Sequence, residues 1–298
     1  MRSLFRICQV AIGEWAGAIR SRRALVLLLL YLVAAVACMY GTISIFSKME
    51  TELVQVLQLP ESETTGVVSK TLWKSKPFQR MTRAAIDNDL VFNDIKGRHP
   101  VELVYAWFVF LCAPLLVVLV AGNRVADDLR SGAVRYAIVR CTRTEWSLGK
   151  YFGQALMLAC GLAASAVGAW IVALCRLADA GPLLPAMFDW GARAWLYSLA
   201  WLGVALGISH LTRTGSRATA LGIFAVAALS ALPNILGWNA SWFDLPWLTN
   251  FDVFSPSSVK SLLWRQSLAP LAEAAFRLAT LGLLFLSVGS AAFCRRDA

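Results

Sequence analysis

The chain has 298 residues, of which 58% are hydrophobic before glycine is counted and only 15% are charged. Soluble domains carry about 25% charged residues, so this composition excludes an ordinary soluble protein and indicates an integral membrane protein. The net charge of +10 is not accompanied by a basic and aromatic surface for stacking bases, and we expect no nucleic-acid partner.

The chain is predicted to form a single membrane domain over residues 1–298. Its length alone would allow about two domains, but no linker rich in proline, glycine and serine interrupts it. Its seven cysteines have neither CxxC nor Cys/His metal spacing, which favours a role as small apolar side chains. No catalytic motif and no metal site are predicted.

The first predicted element is an amphipathic helix within residues 1–23. Its apolar residues recur at helical spacing, and they are Leu4, Phe5, Cys8, Ile12, Trp15 and Ile19. Such a helix either lies in the membrane interface with this stripe in lipid or packs on the bundle, and the sequence leaves both open. The long apolar run begins only at Ala24 and lacks a cleavage site, so we expect no signal peptide.

Six later runs are long and apolar enough to cross roughly 30 Å of hydrocarbon as helices. They are Ala24–Phe46, Leu103–Gly122, Phe152–Cys175, Ala194–Leu211, Ala218–Trp238 and Leu271–Phe293. The predicted fold is therefore an all-α integral membrane protein with six transmembrane helices.

The distribution of charge predicts the orientation. The N-terminal arm, the loop 123–151, the turn with Arg213 and Arg217, and the tail together hold 15 basic and 5 acidic residues, whereas the opposite loops hold 12 of each. Short cytoplasmic loops carry the excess of lysine and arginine. We expect both termini in the cytoplasm and the chain in a bacterial cytoplasmic (inner) membrane.

The large outer loop, residues 47–102, is too long to be a bare connection. A helix from Met49 to Leu59, ended by Pro60, is predicted within it. The loop is either a helical lid packed on the bundle or a surface that receives an exported substrate or a partner.

The loop 123–151 is predicted to contain three parts. Arg124 to Arg130 extend the second span into water, Ser131-Gly132 breaks the helix, and a short amphipathic helix follows from Ala133. Thr142 and Glu145 then match a capping box, which places the start of the next helix before the third span.

Charges of both signs in this loop favour a protein partner over lipid alone, because anionic lipid would repel its acidic residues. The residues predicted to dock the partner are Asp127, Asp128, Arg130, Gly132, Arg135, Tyr136, Ile138, Arg140, Arg143, Glu145 and Lys150.

Asp-Asp-Leu-Arg-Ser-Gly (127–132), Arg-Tyr (135–136), Arg143 and Gly-Lys (149–150) resemble the cytoplasmic signature of ABC-2-type transporter permeases. The resemblance extends to the six spans, the N-terminal arm, the large first outer loop and the Arg-Arg-Asp ending (295–297). Asp128, Ala133 and Cys141 depart from the family's usual glutamate, threonine and proline.

This resemblance implies an exporter permease, with residues 133–140 as the coupling helix that seats in a separate ATPase subunit and the arm as an elbow helix. A second permease chain, identical or different, would complete the unit. The only Gly-Lys in the chain, Gly149-Lys150, is not part of a P-loop. We therefore expect no nucleotide site, no directly bound cofactor and no enzyme activity in this chain, with ATP hydrolysed by the partner.

Two other functional classes remain, a membrane scaffold or assembly factor without transport and a membrane enzyme. An enzyme would place several polar groups at one membrane depth.

The candidate intramembrane pair is Glu273 and Arg277, one helical turn apart. The two charges either neutralise each other near the outer interface or take part in binding a substrate or in gating. The GxxxG at Gly203–Gly207 is expected to seat a close helix contact, within the chain or between two chains.

Overall fold

The computed structural model describes residues 2–20, 22–57, 73, 75–86, 88–177, 180–243 and 251–295. Twelve α-helices lie in these ranges. They are α1 (Arg2–Arg20), α2 (Arg22–Leu57), α3 (Lys76–Ile86), α4 (Asp89–Ile95), α5 (Pro100–Ala121), α6 (Arg124–Ser131), α7 (Ala133–Ile138), α8 (Arg143–Arg176), α9 (Leu183–Leu211), α10 (Gly215–Phe243), α11 (Lys260–Leu263) and α12 (Leu268–Cys294). A 3-10 helix, Pro256–Val259, precedes α11.

The protein is an all-α integral membrane protein, as predicted. Within the described residues, six helical segments are long and apolar enough to cross a membrane, and they follow one another in the predicted order. They are Arg22–Lys48, Pro100–Ser131, Arg143–Arg176, Leu183–Leu211, Gly215–Leu236 and Leu268–Cys294.

Helix α9 extends beyond the predicted fourth span because the charged residues in its added turns have partners. The fourth span was predicted to begin at Ala194, but α9 begins at Leu183. Within the added turns, Arg193 Nε lies 2.9 Å from Asp189 Oδ2, and the buried guanidinium donates to the backbone oxygens of Leu263 and Arg265. A paired charge costs far less to bury than an isolated one, so the charges do not end the helix.

Helix α9 is the centre of the bundle. It packs against α5, α8, α10 and α12. Of the most apolar stretch of 18 residues in α9, 72% is buried inside the protein, whereas the corresponding share for α10 is 6%. Trp190, Trp201 and Leu202 on α9 are completely buried. The other spans are therefore arranged around this helix, and α10 is the least enclosed.

Helices α9 and α12 cross with their backbones in direct contact. A Cβ atom added to Gly203 would overlap the backbone of Gly282, and one added to Gly207 would lie 2.6 Å from the carbonyl oxygen of Phe285. Small residues allow membrane helices to approach this closely. The predicted close contact at Gly203–Gly207 is confirmed, and it lies within the chain.

Helix α1 lies against α8. A Cβ atom at Gly149 would lie 2.5 Å from Val10 Cβ, and one at Gly153 would lie 2.8 Å from the carbonyl oxygen of Ala11. Most of the apolar stripe faces away from this contact, since Leu4 and Phe5 are 69% and 65% exposed, whereas Trp15 is partly buried against the core. The arm therefore packs on the bundle through one face and leaves most of its apolar stripe exposed.

At the opposite end of the bundle, the predicted helix from Met49 is not a separate element. Helix α2 continues without interruption to Leu57, and the predicted end at Pro60 lies outside the described residues.

Later in the same outer loop, α4 packs on the bundle as a lid: Val91, Phe92 and Ile95 are buried in the core. The described part of the outer loop thus agrees with the helical-lid alternative.

We expect Gly203→Leu to lower the free energy of unfolding by roughly 1–3 kcal/mol, because the new side chain must separate α9 from α12. Gly41→Leu is the matched control, since a Cβ atom at Gly41 in α2 meets nothing within 4 Å. Thermal unfolding of both variants in detergent tests this, and equal losses of stability would contradict the crossing.

Candidate docking surface

The loop between the second and third spans folds into the three predicted parts. Helix α6 continues from α5 after Gly122 and Asn123 and ends at Ser131. Gly132 adopts φ 74°, a left-handed conformation that suits glycine, and α7 starts immediately after it. The predicted break at Ser131-Gly132 is confirmed, and it turns α7 away from the axis of α6.

The return to the membrane begins with the predicted capping box. Thr142 Oγ1 accepts from the backbone N–H of Glu145 at 3.2 Å, and Glu145 Oε2 accepts from the backbone N–H of Thr142 at 2.9 Å. The two side chains satisfy amides that have no partner inside α8. This fixes the first turn of α8 directly after α7.

A buried lysine holds the loop to the N-terminal helix. Lys150 is 3% exposed, and its Nζ lies 2.6 Å from both Glu14 Oε2 and Asp128 Oδ2. Gln154 Nε2 donates to the other oxygen of Glu14 at 2.7 Å. One ammonium group thereby joins α1, α6 and α8, which we call the Lys150 cluster (Glu14, Asp128, Lys150 and Gln154).

The charge of Glu14 depends on this cluster. Burial by itself would raise the pKa of the Glu14 carboxyl, but the adjacent Lys150 ammonium and its hydrogen bond outweigh burial and hold the pKa below its usual value of 4.5. Glu14 therefore stays ionised at neutral pH inside a largely buried site.

A second attachment joins the loop to the end of the last span. Arg143 Nη1 donates to the carbonyl oxygens of Phe293 and Cys294 at 3.0 and 3.1 Å, and its guanidinium lies over the Phe293 ring. A cation is favourable beside the free carbonyls of a helix C-terminus. Glu145, next to Arg143 in the same turn, lies 3.6 Å from Arg6 of α1.

A third attachment joins α8 to α9 through a buried histidine. His210 Nδ1 lies 2.7 Å from the carbonyl oxygen of Leu206, which can only accept, so Nδ1 carries the proton. Nε2 then accepts from the hydroxyl of Ser147 at 3.0 Å. Close by, the Ser209 hydroxyl accepts from the backbone N–H of Ala126, so α9 braces both ends of the loop.

Helix α7 is anchored on one side and exposed on the other. Val134 is 3% exposed, whereas Tyr136 and Val139 are 82% and 84% exposed. Three arginines of the same loop are also exposed. We call this surface the Arg–Tyr face, and its residues are Arg130, Arg135, Tyr136, Val139 and Arg140.

The predicted docking residues thus divide into three groups by their exposure. The exposed ones are Asp127, Arg130, Arg135, Tyr136 and Arg140; the partly buried ones are Asp128, Gly132, Ile138 and Arg143; the buried ones are Glu145 and Lys150. The structure brings the exposed group to one end of the bundle and uses the buried pair to hold that end together. Docking by any of these residues stays a prediction.

The candidate intramembrane pair is also in contact. Glu273 Oε1 and Arg277 Nη2 lie 2.7 Å apart, and each side chain is about half exposed. The two charges therefore lie within ion-pair distance across one turn, and their neutralisation near the outer interface stays a prediction. A role in binding a substrate or in gating stays a prediction.

Sequence reasoning missed the acid that completes the Lys150 cluster. Glu14 is the one acidic residue in an otherwise basic arm, and that isolation was the available indication. At the opposite end it also missed Glu102, which is buried and accepts from both Arg98 and the Trp190 indole. Within the described residues, no group of three or more His, Cys, Asp or Glu side chains is arranged to hold a metal ion.

Comparison of the chain with known protein families and with curated proteins finds no match.

Lys150→Met is expected to cost about 3–5 kcal/mol of stability, because it leaves the carboxylates of Glu14 and Asp128 without their cation. It should also free α1, which faster trypsin cleavage after Arg20 would report. Glu14→Gln in the same chain should recover part of the loss. Arg277→Met removes a half-exposed partner and should cost about 1 kcal/mol or less; a similar loss in both variants would contradict the role of the cluster.

The Glu14 contribution should depend on pH. Because the folded pKa lies below the unfolded one, its stabilisation is complete above the usual value of 4.5 and is lost as the pH falls through the folded pKa. We expect the difference in Tm between the wild type and Glu14→Gln to be constant from about pH 7 to about pH 5 and to shrink below that range. A difference that grows on acidification would reverse the assigned direction.

Proposed function

We propose that this chain is the permease subunit of an ATP-binding cassette exporter and that a separate ATPase subunit docks on the Arg–Tyr face. The observation that supports this most directly is the exposure of Tyr136 and Val139 on a short, anchored helix among three arginines. The resemblance of residues 127–150 to the ABC-2-type signature supplies the family and the nature of the partner.

The composition of the Arg–Tyr face suits a protein cleft with an apolar floor and an acidic rim. Tyrosine and arginine are the residue types that most often dominate interface energies, and complementary charges set the register and rate of association. Asp127 is exposed beside the face, and anionic lipid would repel it. A lipid surface alone is therefore a poorer match than a protein.

The attachments behind the face provide a route for coupling. A displacement of α7 would pass across Gly132 to α6, which the Lys150 cluster joins to α1 and α8. It would also pass to the first turn of α8, which Arg143 joins to α12. The partner binds and hydrolyses ATP, and this chain converts the resulting movement of α7 into a rearrangement of its spans. Neither a cofactor nor a nucleotide binds to this chain in the proposed mechanism.

The excess of basic residues at the end that carries α1 and α7 supports placing that end, with both termini, on the cytoplasmic side of a bacterial inner membrane. A second permease chain, identical or different, completes the transporter. The weak enclosure of α10 leaves that helix available for lipid or for this second chain.

The test is purification of the tagged full-length chain from its native membrane in mild detergent, followed by mass spectrometry of the proteins that accompany it. We expect a stoichiometric soluble subunit with a P-loop, and we expect Arg140→Glu to reduce its recovery at least tenfold. Arg217→Glu is the matched control, because Arg217 is an exposed arginine in the first turn of α10 and is not part of the Arg–Tyr face. It should retain the subunit.

Arg140 is a better site for this substitution than Asp128. A change at Asp128 would also break its contact with Lys150, so a loss of docking could not be distinguished from a loss of folding. Absence of any nucleotide-binding subunit in several detergents would contradict the transporter. The scaffold or assembly factor would then be the better interpretation of the same structure.

A further inference from the structure

A cleft of about 210 Å³ lies at the opposite end of the bundle from the Arg–Tyr face. It is bounded by α4, by Trp107 of α5 and by the segment from Ser257 to Trp264. This volume is below the roughly 300–1,000 Å³ of pockets for drug-sized ligands, so the cleft suits a small group or one end of a larger molecule.

The cleft contains a partly buried cation without a counter-ion. Lys260 Nζ lies 5.2 Å from the centroid of the Trp107 ring, and Lys260 makes neither an ion pair nor a side-chain hydrogen bond with any described residue. Burial lowers the pKa of its ammonium group, the direction expected for a cation whose desolvation no nearby acid offsets.

Two partly buried arginines at this end differ from Lys260 in having an acidic partner. Arg98 contacts Glu102 at 2.8 Å and Arg265 contacts Asp94 at 2.6 Å. Among the described residues that line the cleft, none is acidic. Because a buried charge is costly unless it is paired, an anion entering the cleft would give Lys260 a partner that the described residues do not supply.

One hydroxyl in the cleft is available to donate to that anion. Ser258 Oγ donates to the carbonyl oxygen of Ser255 at 2.8 Å, and Ser257 Oγ donates to that of Leu229 at 3.4 Å. Ser261, which also lines the cleft, has no side-chain hydrogen bond within the described part of the chain. Lys260 and Ser261 therefore offer an ammonium and a hydroxyl donor side by side.

The cleft lies beside the lipid-facing side of α5. Trp107 is 39% exposed, and Leu111, one turn further into the membrane on the same face, is 74% exposed. Tryptophan side chains of this kind sit at the level of the lipid headgroups. The phosphodiester of a phospholipid is an anion that membranes carry at this level.

We propose that this cleft binds a phosphoryl anion, with Lys260 supplying the charge and Ser261 a hydrogen-bond donor, and that the occupant is the headgroup of an acidic phospholipid. A phosphoryl group offers several acceptor oxygens for charge-assisted hydrogen bonds, whereas a cationic group would be repelled by Lys260. The inference does not rest on the transporter assignment, since a scaffold with this structure would bind the same headgroup.

The experiment uses the purified full-length chain and compares phosphatidylglycerol, phosphatidylcholine and inorganic phosphate as added ligands. Native mass spectrometry measures bound lipid, and Tm measures stabilisation. We expect phosphatidylglycerol to be retained over phosphatidylcholine, Lys260→Gln to reduce its affinity about tenfold, and Lys260→Arg to preserve it. Ser261→Ala should give a smaller loss at unchanged charge.

Lys96→Gln is the matched control, because it removes an exposed positive charge at the same end but outside the cleft. Stabilisation by inorganic phosphate that depends on Lys260, without preference for the acidic lipid, would support the site and identify free phosphate as its occupant. Equal retention of phosphatidylglycerol by Lys260→Gln and the wild type would overturn the proposal. If Lys260→Gln does not fold, loss of affinity in Ser261→Ala with retention in Lys260→Arg decides for the site, and no change in Ser261→Ala decides against it.

Discussion

The basic end of this protein depends on one ammonium group. Lys150 is almost completely buried and has two carboxylates at 2.6 Å, one from the N-terminal helix and one from the stalk that extends the second span. A buried charge of this kind imposes a geometry, because removing Lys150 leaves two carboxylates without a cation in surroundings that solvate them poorly. The positions of α1 and α6 relative to α8 follow from this constraint.

The rest of the fold combines close contacts between helices with two sites whose side chains are exposed or unpaired within the described chain. Glycines let α9 and α12 meet backbone to backbone, and paired charges at both ends let the helices extend beyond the apolar runs. Against this frame, the Arg–Tyr face has side chains that nothing in the described chain covers. The Lys260 cleft has a cation that no described residue neutralises. The Arg–Tyr face suits a macromolecular partner because it offers an exposed contact surface. The Lys260 cleft suits an anion because it contains a cation without an acidic partner among the described residues.

Much of the fold could be predicted from local patterns. The apolar runs predicted the number and order of the spans, Ser131-Gly132 predicted the helix break, and Thr142 with Glu145 predicted the capping box. These features depend on residues that are close together in the sequence. The start of the fourth span was misplaced because Arg193 looked like a loop residue. Its partners include backbone oxygens about seventy residues away, which no local pattern reveals.

The sequence by itself determined that the chain is a helical membrane protein with six spans, a basic loop after the second and an amphipathic arm before the first, because hydropathy and helical periodicity are local properties. Only the tertiary structure decided what each charge does. Lys150 and Arg140 look alike in the sequence, yet one is buried among carboxylates and the other is exposed. That difference arises from which helices pack together, and packing brings together Glu14 and Lys150, which the chain separates by 136 residues.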